Sequence, residues 1–363
     1  MALTTNQRLA DQAVRRRLFT TRYGTGQANK MMRLLRDSRI DVEVRLRKAL
    51  ENLPRTAWSV RHDQAISRAL LDMLQAIYAN LYGAMETDLK AFSTSEAKWH
   101  VETLRGIIPV QIQAFNPVAR ITGNKVFAAA TANPFQGALL SKWADAQASS
   151  LTRAIAQQVR MGYIQGETTE QLVKRVNQGA FNRAGLDLAA VTKSAVAHFA
   201  SEAREEMARQ NADLIKARQW LSTLDSHTSK LCIVRDNLMY TADKKPKPIG
   251  HSIPYGDGPG RLHFCCRSTE TWVIKSWKEL GIDADELSPG TRASMDGQVP
   301  AEMNYIQWLK RQPQSVQERV LGVNRAAMLQ HGANVGQFFN DKGEFLTLDQ
   351  LSRKEPDLFP VEG

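Results

Sequence analysis

Apolar residues recur at helical spacing through the first two thirds of the chain. Leu9, Val14 and Leu18 lie on one helical face, which predicts a helix at the N-terminus. The Tyr-Gly-Thr-Gly sequence at 23–26 is typical of a turn and predicts the end of that helix. A second helix is then predicted over 27–53, because the proline that follows disfavours helical backbone before it.

The most regular apolar stripe lies in the next segment. Apolar residues from Ile66 to Leu81 repeat every three or four positions, so we predict a helix over 63–92 that buries this stripe. The Ser-Thr-Ser-Glu sequence at 93–96 has the form of a capping motif. It predicts the start of a shorter helix that ends near Pro109.

Residues 109–137 contain three prolines and two glycines and show no sustained period. This composition predicts a connector with one short extended piece at 110–115. Helical patterns resume after the connector and predict three further helices, at 139–161, 166–176 and 186–210.

Alternation of polar and apolar residues replaces the helical period after residue 215. Residues 219–224 alternate as a half-buried strand does. Asparagine tolerates positive φ, so Asp236-Asn237 predicts a hairpin turn between extended segments at 232–234 and 238–240. The proline- and glycine-rich stretch at 241–262 predicts a loop, and residues 269–274 predict a last short strand.

Together these patterns predict a mainly α protein with a small α+β module, a short β hairpin near 216–275 and a helical C-terminal tail. The tail contains a capping box that begins at Thr347. The predicted regions are a basic N-terminal helical region at 1–108, a connector at 109–137, a central helical region at 138–215, the β-containing module at 216–275 and a C-terminal helical extension at 276–363.

Composition narrows the class of protein. The 363 residues are 43% hydrophobic and 23% charged, which excludes a collagen-like or wholly disordered chain. No apolar run approaches the ~20 residues of a membrane-spanning helix, so no membrane partner is expected. The N-terminal sequence lacks the apolar core of a secretory signal. Three cysteines cannot form a disulfide framework, and we therefore expect folding in a reducing cytosol.

Positive charge is concentrated at the start of the chain. The net charge is +11, and residues 1–60 contain 13 Lys and Arg against 5 Asp and Glu. Such an excess indicates a polyanionic partner, either nucleic acid or an acidic protein surface, unless it is only the solvated face of a helix. The candidate contact residues are Arg8, Arg15, Arg16, Arg17, Arg22, Lys30, Arg33 and Arg36.

All three cysteines fall between residues 220 and 267, accompanied by three histidines and Asp225. Thiolate and imidazole are the ligands that zinc prefers. The best candidate ligands are Cys232, His263 and Cys266, with Asp225 or Cys265 as the fourth. The alternative is a metal-free module in which the cysteines are small buried hydrophobic residues.

An enzyme has to be considered for the same segment. A cysteine with a histidine base, or a metal with Asp225 and His227, can in principle supply a nucleophile. However, no G-x-S-x-G, H-E-x-x-H, Walker or G-x-G-x-x-G pattern is present. We expect no catalytic residue, and the alternative is a metal-dependent nuclease or toxin-like enzyme.

The segment contains a recognisable series of residues: Trp220, the Asp-x-x-Thr of Asp225 and Thr228, Cys232, the Asp236-Asn237 turn, and the His-x-x-Cys-Arg of His263, Cys266 and Arg267. A second series follows, with Tyr305, Trp308, Pro313, Gly322 and Arg325, and then the apolar residues of 345–351. In these motifs, which span about 220–351, the chain resembles the phage Mu F-like head morphogenesis family, the minor capsid proteins of tailed phages. Three positions depart from the family pattern: His227, Asn237 and Ser268 stand where an arginine, a glycine and a second cysteine are frequent.

The resemblance implies a role in head assembly rather than catalysis. The expected partners are the phage portal protein, capsid or scaffold proteins, and double-stranded DNA bound without sequence preference. The expected location is the virion, in the head interior or at the portal vertex, and the host cytoplasm during assembly. A third hypothesis is a free nucleic-acid-binding protein of the host cell. It is disfavoured because the sequence shows no helix-turn-helix or zinc-finger signature.

Overall fold

The computed structural model describes residues 4–53, 57–276, 279–280, 291–300 and 302–359. The chain forms two compact units, each assembled from segments that are separated in sequence. The first unit combines 1–20, 96–122 and 200–363, and the second combines 21–95 and 123–199. The units therefore do not follow the five consecutive regions that the sequence predicts.

Long helices make up most of the first 210 residues. In chain order they are α1 (Thr5–Asp37), α2 (Arg39–Glu51), α3 (Val60–Ile107), α4 (Val110–Phe115), α5 (Gly123–Ala132), α6 (Leu140–Ile164), α7 (Thr169–Val176) and α8 (Asn182–Gln210), with a π-helical turn at Asn177–Phe181.

The predicted break at 23–26 is wrong, because α1 continues through it. Two glycines inside a helix each cost about 1 kcal/mol relative to alanine. Burial on one face offsets this cost: Ala28, Met31 and Leu35 are at most 2% exposed. In addition, the Tyr23 ring stacks on Phe92 with centroids 4.7 Å apart. Tertiary packing thus outweighs the local turn preference.

The predicted helix start at 93–96 is also wrong, because α3 runs through it without interruption. The Ser93 hydroxyl donates to the Leu89 carbonyl at 2.8 Å, and the Thr94 hydroxyl donates to the Lys90 carbonyl at 3.3 Å. These side chains therefore bond back along the helix instead of capping a new one.

The connector at 109–137 contains two short helices, α4 and α5, so the extended piece predicted at 110–115 is wrong. Pro109 has extended backbone and precedes the first turn of α4. Its carbonyl accepts the amide protons of Ile112 at 3.0 Å and Gln113 at 3.1 Å. A proline is well tolerated in this position because its nitrogen has no proton to satisfy.

A four-stranded antiparallel sheet lies in the first unit, in the order β3-β2-β1-β4. Its strands are β1 (Ile215–Leu221), β2 (Met239–Thr241), β3 (Pro248–Ile249) and β4 (Thr269–Ile274). Asn237 lies in a turn with the predicted positive φ, 65°, but this turn does not join two strands of a hairpin. The segment before it is not a strand: a single helical turn, α9 (Lys230–Ile233), replaces the extended segment predicted at 232–234.

The C-terminal region is helical, as predicted, and it also contains an unpredicted β hairpin. Its elements are β5 (Thr291–Ser294), β6 (Gly297–Pro300), α10 (Tyr305–Lys310), α11 (Gln314–Leu321), α12 (Val323–Gln330) and α13 (Leu348–Lys354). The capping box at Thr347 is confirmed, since its hydroxyl accepts the Gln350 amide proton at 3.2 Å.

The predicted fold class, mainly α with a small β-containing module, is confirmed. Two apolar clusters lie in the first unit. One is formed by Trp220, Cys232, Tyr240, Tyr255 and Cys266 within the module. The other packs residues of the C-terminal region against the module. Among the described helices, none combines the length and apolar character needed to cross a bilayer.

Candidate metal centre and the turns that support it

The structure brings Cys232, His263 and Cys266 together, as the sequence predicts. Ser229 caps α9 by accepting the Cys232 amide proton, and this turn directs Cys232 into the interior. On the opposite side, Cys265 adopts a left-handed φ of 55° and is exposed, whereas Cys266 is fully buried. The left-handed residue thus places the two adjacent cysteines on opposite sides of the chain.

The three donor atoms fit a tetrahedral zinc ion. The Cys232 and Cys266 sulfurs are 3.6 Å apart, and the Cys232 sulfur is 3.3 Å from His263 Nε2. All three donors lie within 4.8 Å of one another. Zinc bonds of about 2.3 Å to sulfur and 2.0 Å to nitrogen separate tetrahedral ligands by about 3.5–3.8 Å. The two sulfur distances of Cys232 lie within a few tenths of an ångström of these values, so the cluster can hold a metal ion.

Neighbouring backbone groups orient these ligands. His263 Nδ1 lies 2.9 Å from the Phe264 carbonyl, which identifies it as the protonated nitrogen and leaves Nε2 facing the sulfurs. The Gly260 amide donates to the Cys266 sulfur at 3.3 Å. A histidine fixed by a carbonyl and a thiolate that accepts an amide proton are typical surroundings of a metal site.

The two buried cysteines of the cluster differ in the direction of their pKa shifts. The hydrogen bond from the Cys232 thiol, together with His263 and Arg17, holds the pKa of Cys266 well below its usual range. The same hydrogen bond and burial raise the pKa of Cys232. Burial alone would lower the pKa of His263, but the neighbouring Cys266 thiolate outweighs it and raises that pKa. Cys266 is thus the more acidic of the two thiols, and a metal ion has to displace the proton of Cys232.

Neither residue predicted as the fourth ligand lies in the cluster. Cys265 points to the surface, and Asp225 is committed to a different set of hydrogen bonds. Two hydroxyls lie beside the cluster instead. Ser229 Oγ is 2.6 Å from His263 Nε2, and the fully buried Ser268 hydroxyl hydrogen-bonds the Cys232 thiol.

Asp225 organises the turn after β1. Its Oδ1 accepts the amide protons of His227 at 2.9 Å and Thr228 at 3.0 Å. The Thr228 hydroxyl donates to the Thr223 carbonyl at 2.6 Å. Arg267 donates to Oδ2 from Nε at 2.8 Å and also from Nη2. Both oxygens of the Asp225 carboxylate are therefore occupied by hydrogen bonds.

Asp236 carries a role that the sequence did not predict. Its Oδ1 accepts the Ser222 amide proton at 2.6 Å, and its Oδ2 accepts the Tyr305 amide proton at 2.7 Å. The Tyr305 hydroxyl in turn donates to the Asp225 carbonyl. Two buried aspartates of the module therefore hold the first turn of α10. The Asp-Asn sequence indicated a turn, but nothing local indicated a partner about 70 residues away.

The remaining motif residues are structural in position. Trp220 is fully buried in the module, and its indole nitrogen donates to the Ser222 hydroxyl at 3.2 Å. Trp308 is 1% exposed, and its indole nitrogen donates to Asp296 at 3.0 Å. Pro313 precedes α11. Gly322 separates α11 from α12 with a φ of 82°, a conformation that favours glycine.

Two of the eight candidate polyanion contacts are buried or half-buried inside the first unit, so their assignment needs correction. Arg17 is 6% exposed and donates to the Cys266 carbonyl, next to the metal-ligand cluster. Arg16 donates to the fully buried Glu96 carboxylate at 2.9 Å. These two arginines neutralise or satisfy groups within the protein, and they are not available to DNA.

The other six candidates differ in their surroundings. Lys30 pairs with Asp88 at 2.6 Å, and Arg15 pairs with Asp11 at 2.7 Å. Arg8 is exposed and donates to the Gly106 carbonyl at 3.2 Å. Three exposed arginines lie on the part of α1 that belongs to the second unit, namely Arg22, Arg33 and Arg36.

His100 is a buried polar residue of the first unit that no sequence pattern predicts. His100 is 3% exposed, and its Nε2 is 3.7 Å from a Glu96 carboxylate oxygen. Burial, followed by the positive charges of Arg204 and Arg16, holds the pKa of His100 well below its usual range. This histidine is therefore neutral in the folded protein.

Comparisons of the chain with protein-family models, with curated proteins and with solved structures found no match. The family resemblance thus rests on the motif residues themselves.

Proposed function

We propose that the protein is a minor head protein of a tailed bacteriophage, associated with the portal and the packaged DNA, that acts in procapsid assembly and in DNA packaging or delivery. The observation that carries this proposal is the use made of the motif residues. The polar groups of Asp225, Thr228 and Arg267 hydrogen-bond to turn backbone or to one another. Polar side chains that are used in this way stabilise the fold, as expected in a structural protein, whereas the polar groups of an active site face a substrate.

The module also anchors the C-terminal region, which supports a scaffolding role. Asp236 and Asp225 hold Tyr305, and Leu224 and Ile233 belong to the same apolar cluster as Trp308. An assembly protein benefits from such a connection, because a binding surface on either part keeps a fixed position relative to the other.

Zinc is the metal that we propose for the Cys232–His263–Cys266 cluster. Two thiolates and an imidazole favour zinc over magnesium or calcium, which prefer oxygen ligands. Bound zinc would stabilise the small sheet and loop, because metal binding contributes directly to folding free energy. In this proposal the ion has a structural role.

DNA contact is assigned to the exposed arginines of α1. Arg22 and Arg33 belong to the second unit, and Arg8 and Arg15 to the first. Arginine contacts to phosphate release counterions and need no base recognition. The phosphates of packaged DNA can bind such exposed arginines electrostatically.

Co-expression with the portal protein of the same phage tests the proposal. We expect the two proteins to co-purify as a stable assembly, and we expect an Asp225→Asn variant to lose much of this association together with its folding stability. The matched control is Asp187→Asn on the exposed surface of α8, which should assemble normally. A well-folded wild-type protein that never joins the portal or the head would contradict the proposal.

One observation favours a second candidate, a metal-dependent nuclease. Three protein ligands leave one coordination position open, as catalytic zinc sites do. Incubating the protein with plasmid DNA and Mg²⁺, Mn²⁺ or Zn²⁺ separates the two functions. Cleavage that His263→Ala abolishes, while Cys265→Ser leaves it intact, would establish the enzyme and remove the structural assignment.

A further inference from the structure

A groove lies on the surface of the second unit, beside the π-helical turn that precedes α8. Its volume is about 400 Å³. Leu35 and Phe181 are buried along it, and Leu186 is 64% exposed. The remaining lining residues are Met32, Arg36, Arg39, Asn182 and Gly185. A groove of this volume with an exposed leucine beside two arginines has the size and mixed lining of a ligand-binding groove.

The available charge at the groove is positive. Arg36 is exposed and has no ion-pair partner among the residues that the structure describes. Arg39 lies 3.1 Å from Glu43, but that carboxylate also accepts a hydrogen bond from Asn177 at 2.8 Å and so is shared. Because the free charge is positive and the lining is apolar, the complementary ligand has carboxylates on either side of large apolar side chains.

Gly185 allows a close approach to the groove wall. It lies within α8, where a glycine costs about 1 kcal/mol relative to alanine. A Cβ atom added there would meet nothing within 4 Å among the described residues. Packing within the described part of the unit therefore does not require this glycine, and its effect is to leave open space between α1 and α8.

We propose that this groove binds an acidic amphipathic helix of a partner protein. Grooves between two helices commonly accept a third helix, which inserts side chains spaced at i, i+3 or i+4 and i+7. A volume of about 400 Å³ accommodates a few such side chains. Arg36 and Arg39 pair with Asp or Glu residues on the flanks of the inserted face. This proposal does not depend on the phage assignment.

A display library of helical peptides tests the proposal with the full chain as the target. The selection is repeated against Gly185→Leu, which adds apolar volume at the groove wall and whose Cβ meets no described atom within 4 Å. We expect enriched peptides to combine helically spaced apolar residues with flanking Asp or Glu. Their affinity, measured by fluorescence anisotropy, should fall about tenfold or more in Gly185→Leu and in Arg36→Glu.

Two control variants make the same chemical changes outside the groove. Gly26→Leu adds the same side chain at an exposed position of α1 where an added Cβ has no described neighbour within 4 Å, and Arg68→Glu reverses an exposed charge on α3. Both should retain affinity within about twofold. Circular dichroism of each variant checks that the helices remain intact.

Three results would overturn the proposal. One is that no peptide depends on the groove. Another is that the groove-dependent peptides lack an excess of acidic residues. The third is that Gly185→Leu leaves the binding of every peptide unchanged but weakens either the binding of a 20-base-pair duplex or self-association. That result would assign the groove to DNA or to a second copy of the chain, respectively.

Discussion

Arg267 holds Asp225 with two donors directed at one carboxylate oxygen, from Nε at 2.8 Å and from Nη2. The other oxygen of the same carboxylate accepts two backbone amide protons. Asp225 follows β1 and Arg267 precedes β4. The ion pair therefore joins the two ends of the segment that connects these strands. The ion pair fixes the turn after β1 next to the start of β4. Its loss would also leave the two turn amides and the Arg267 guanidinium with a weaker partner.

The first prediction concerns this pair. Asp225→Asn should lower the free energy of unfolding by about 2–3 kcal/mol, because the amide cannot satisfy both the guanidinium and the two turn amides. Urea unfolding followed by tryptophan fluorescence measures the change. The control is Asp187→Asn, which breaks an exposed pair with Arg183 and should cost less than about 0.5 kcal/mol. Equal effects of the two substitutions would mean that the Asp225 network contributes little.

The second prediction concerns metal content. Purified protein should contain about one equivalent of zinc by elemental analysis, and Cys232→Ser should lose it. Cys265→Ser is the matched control, since this exposed neighbour lies outside the ligand cluster. Because the pKa of Cys232 is raised, zinc binding should release a proton and weaken as the pH is lowered. Metal-free wild-type protein of full stability would leave the packed-cysteine alternative standing.

The third prediction concerns the fourth coordination position. Ser268 is fully buried and hydrogen-bonds the Cys232 thiol, so Ser268→Cys should add a third thiolate to the site. We expect tighter zinc binding in competition with a chelator and a stronger sulfur-to-metal absorption band after cobalt substitution. If the cobalt spectrum and the affinity stay as in the wild type, residue 268 lies outside the coordination shell.

The fourth prediction concerns DNA. Replacing both Arg22 and Arg33 with glutamine should reduce the salt dependence of duplex binding by a slope of about 1.8, since each phosphate contact contributes about 0.9. Filter binding over a series of salt concentrations measures this slope. A control that replaces the exposed Arg183 and Arg311 keeps the same net charge change. A deletion of residues 1–60 is unsuitable here, because it would also remove the buried Arg17.

The fifth prediction concerns pH. His100 is neutral when folded, whereas an unfolded histidine takes up a proton below about pH 6.5. The unfolded state therefore binds more protons, and the free energy of unfolding should fall as the pH drops below 6.5, by up to about 1.4 kcal/mol per pH unit. His100→Gln should remove this part of the slope, and the exposed His227→Gln should not. Parallel curves for His100→Gln and the wild type would show that His100 does not carry the effect.

Sequence patterns predicted those features of the protein that depend on neighbours along the chain. The apolar stripe of α3, the Thr347 cap and the positive φ of Asn237 all follow from local spacing or residue type. The breaks expected at 23–26 and 93–96 failed for two different reasons. At 23–26, packing against a distant helix outweighs the local cost of about 1 kcal/mol per glycine. At 93–96, the hydroxyls hydrogen-bond back to carbonyls of the same helix and do not cap a new one.

The candidate metal centre was predictable in its three ligands but not in its surroundings. Cysteine and histidine are rare enough for their clustering to indicate a site. The left-handed Cys265, which decides that Cys266 turns inward, has no local signature. Nor does the contact of Arg17 with the Cys266 carbonyl, which joins residues 249 positions apart. Sequence charge assigned Arg17 to a partner, and only the fold shows that it is internal.

The contact between Arg17 and Cys266 also bears on the order of events during synthesis. Arg17 leaves the ribosome about 250 residues before Cys266, so this contact forms only after all the residues between them have been made. The first unit therefore completes late, and until then the opening turns of α1 expose Leu9 and Val14, which are buried in the finished unit. Closures between residues so far apart in sequence slow folding, because the chain between them has to be ordered first. During that interval the exposed apolar residues make the nascent chain prone to aggregation.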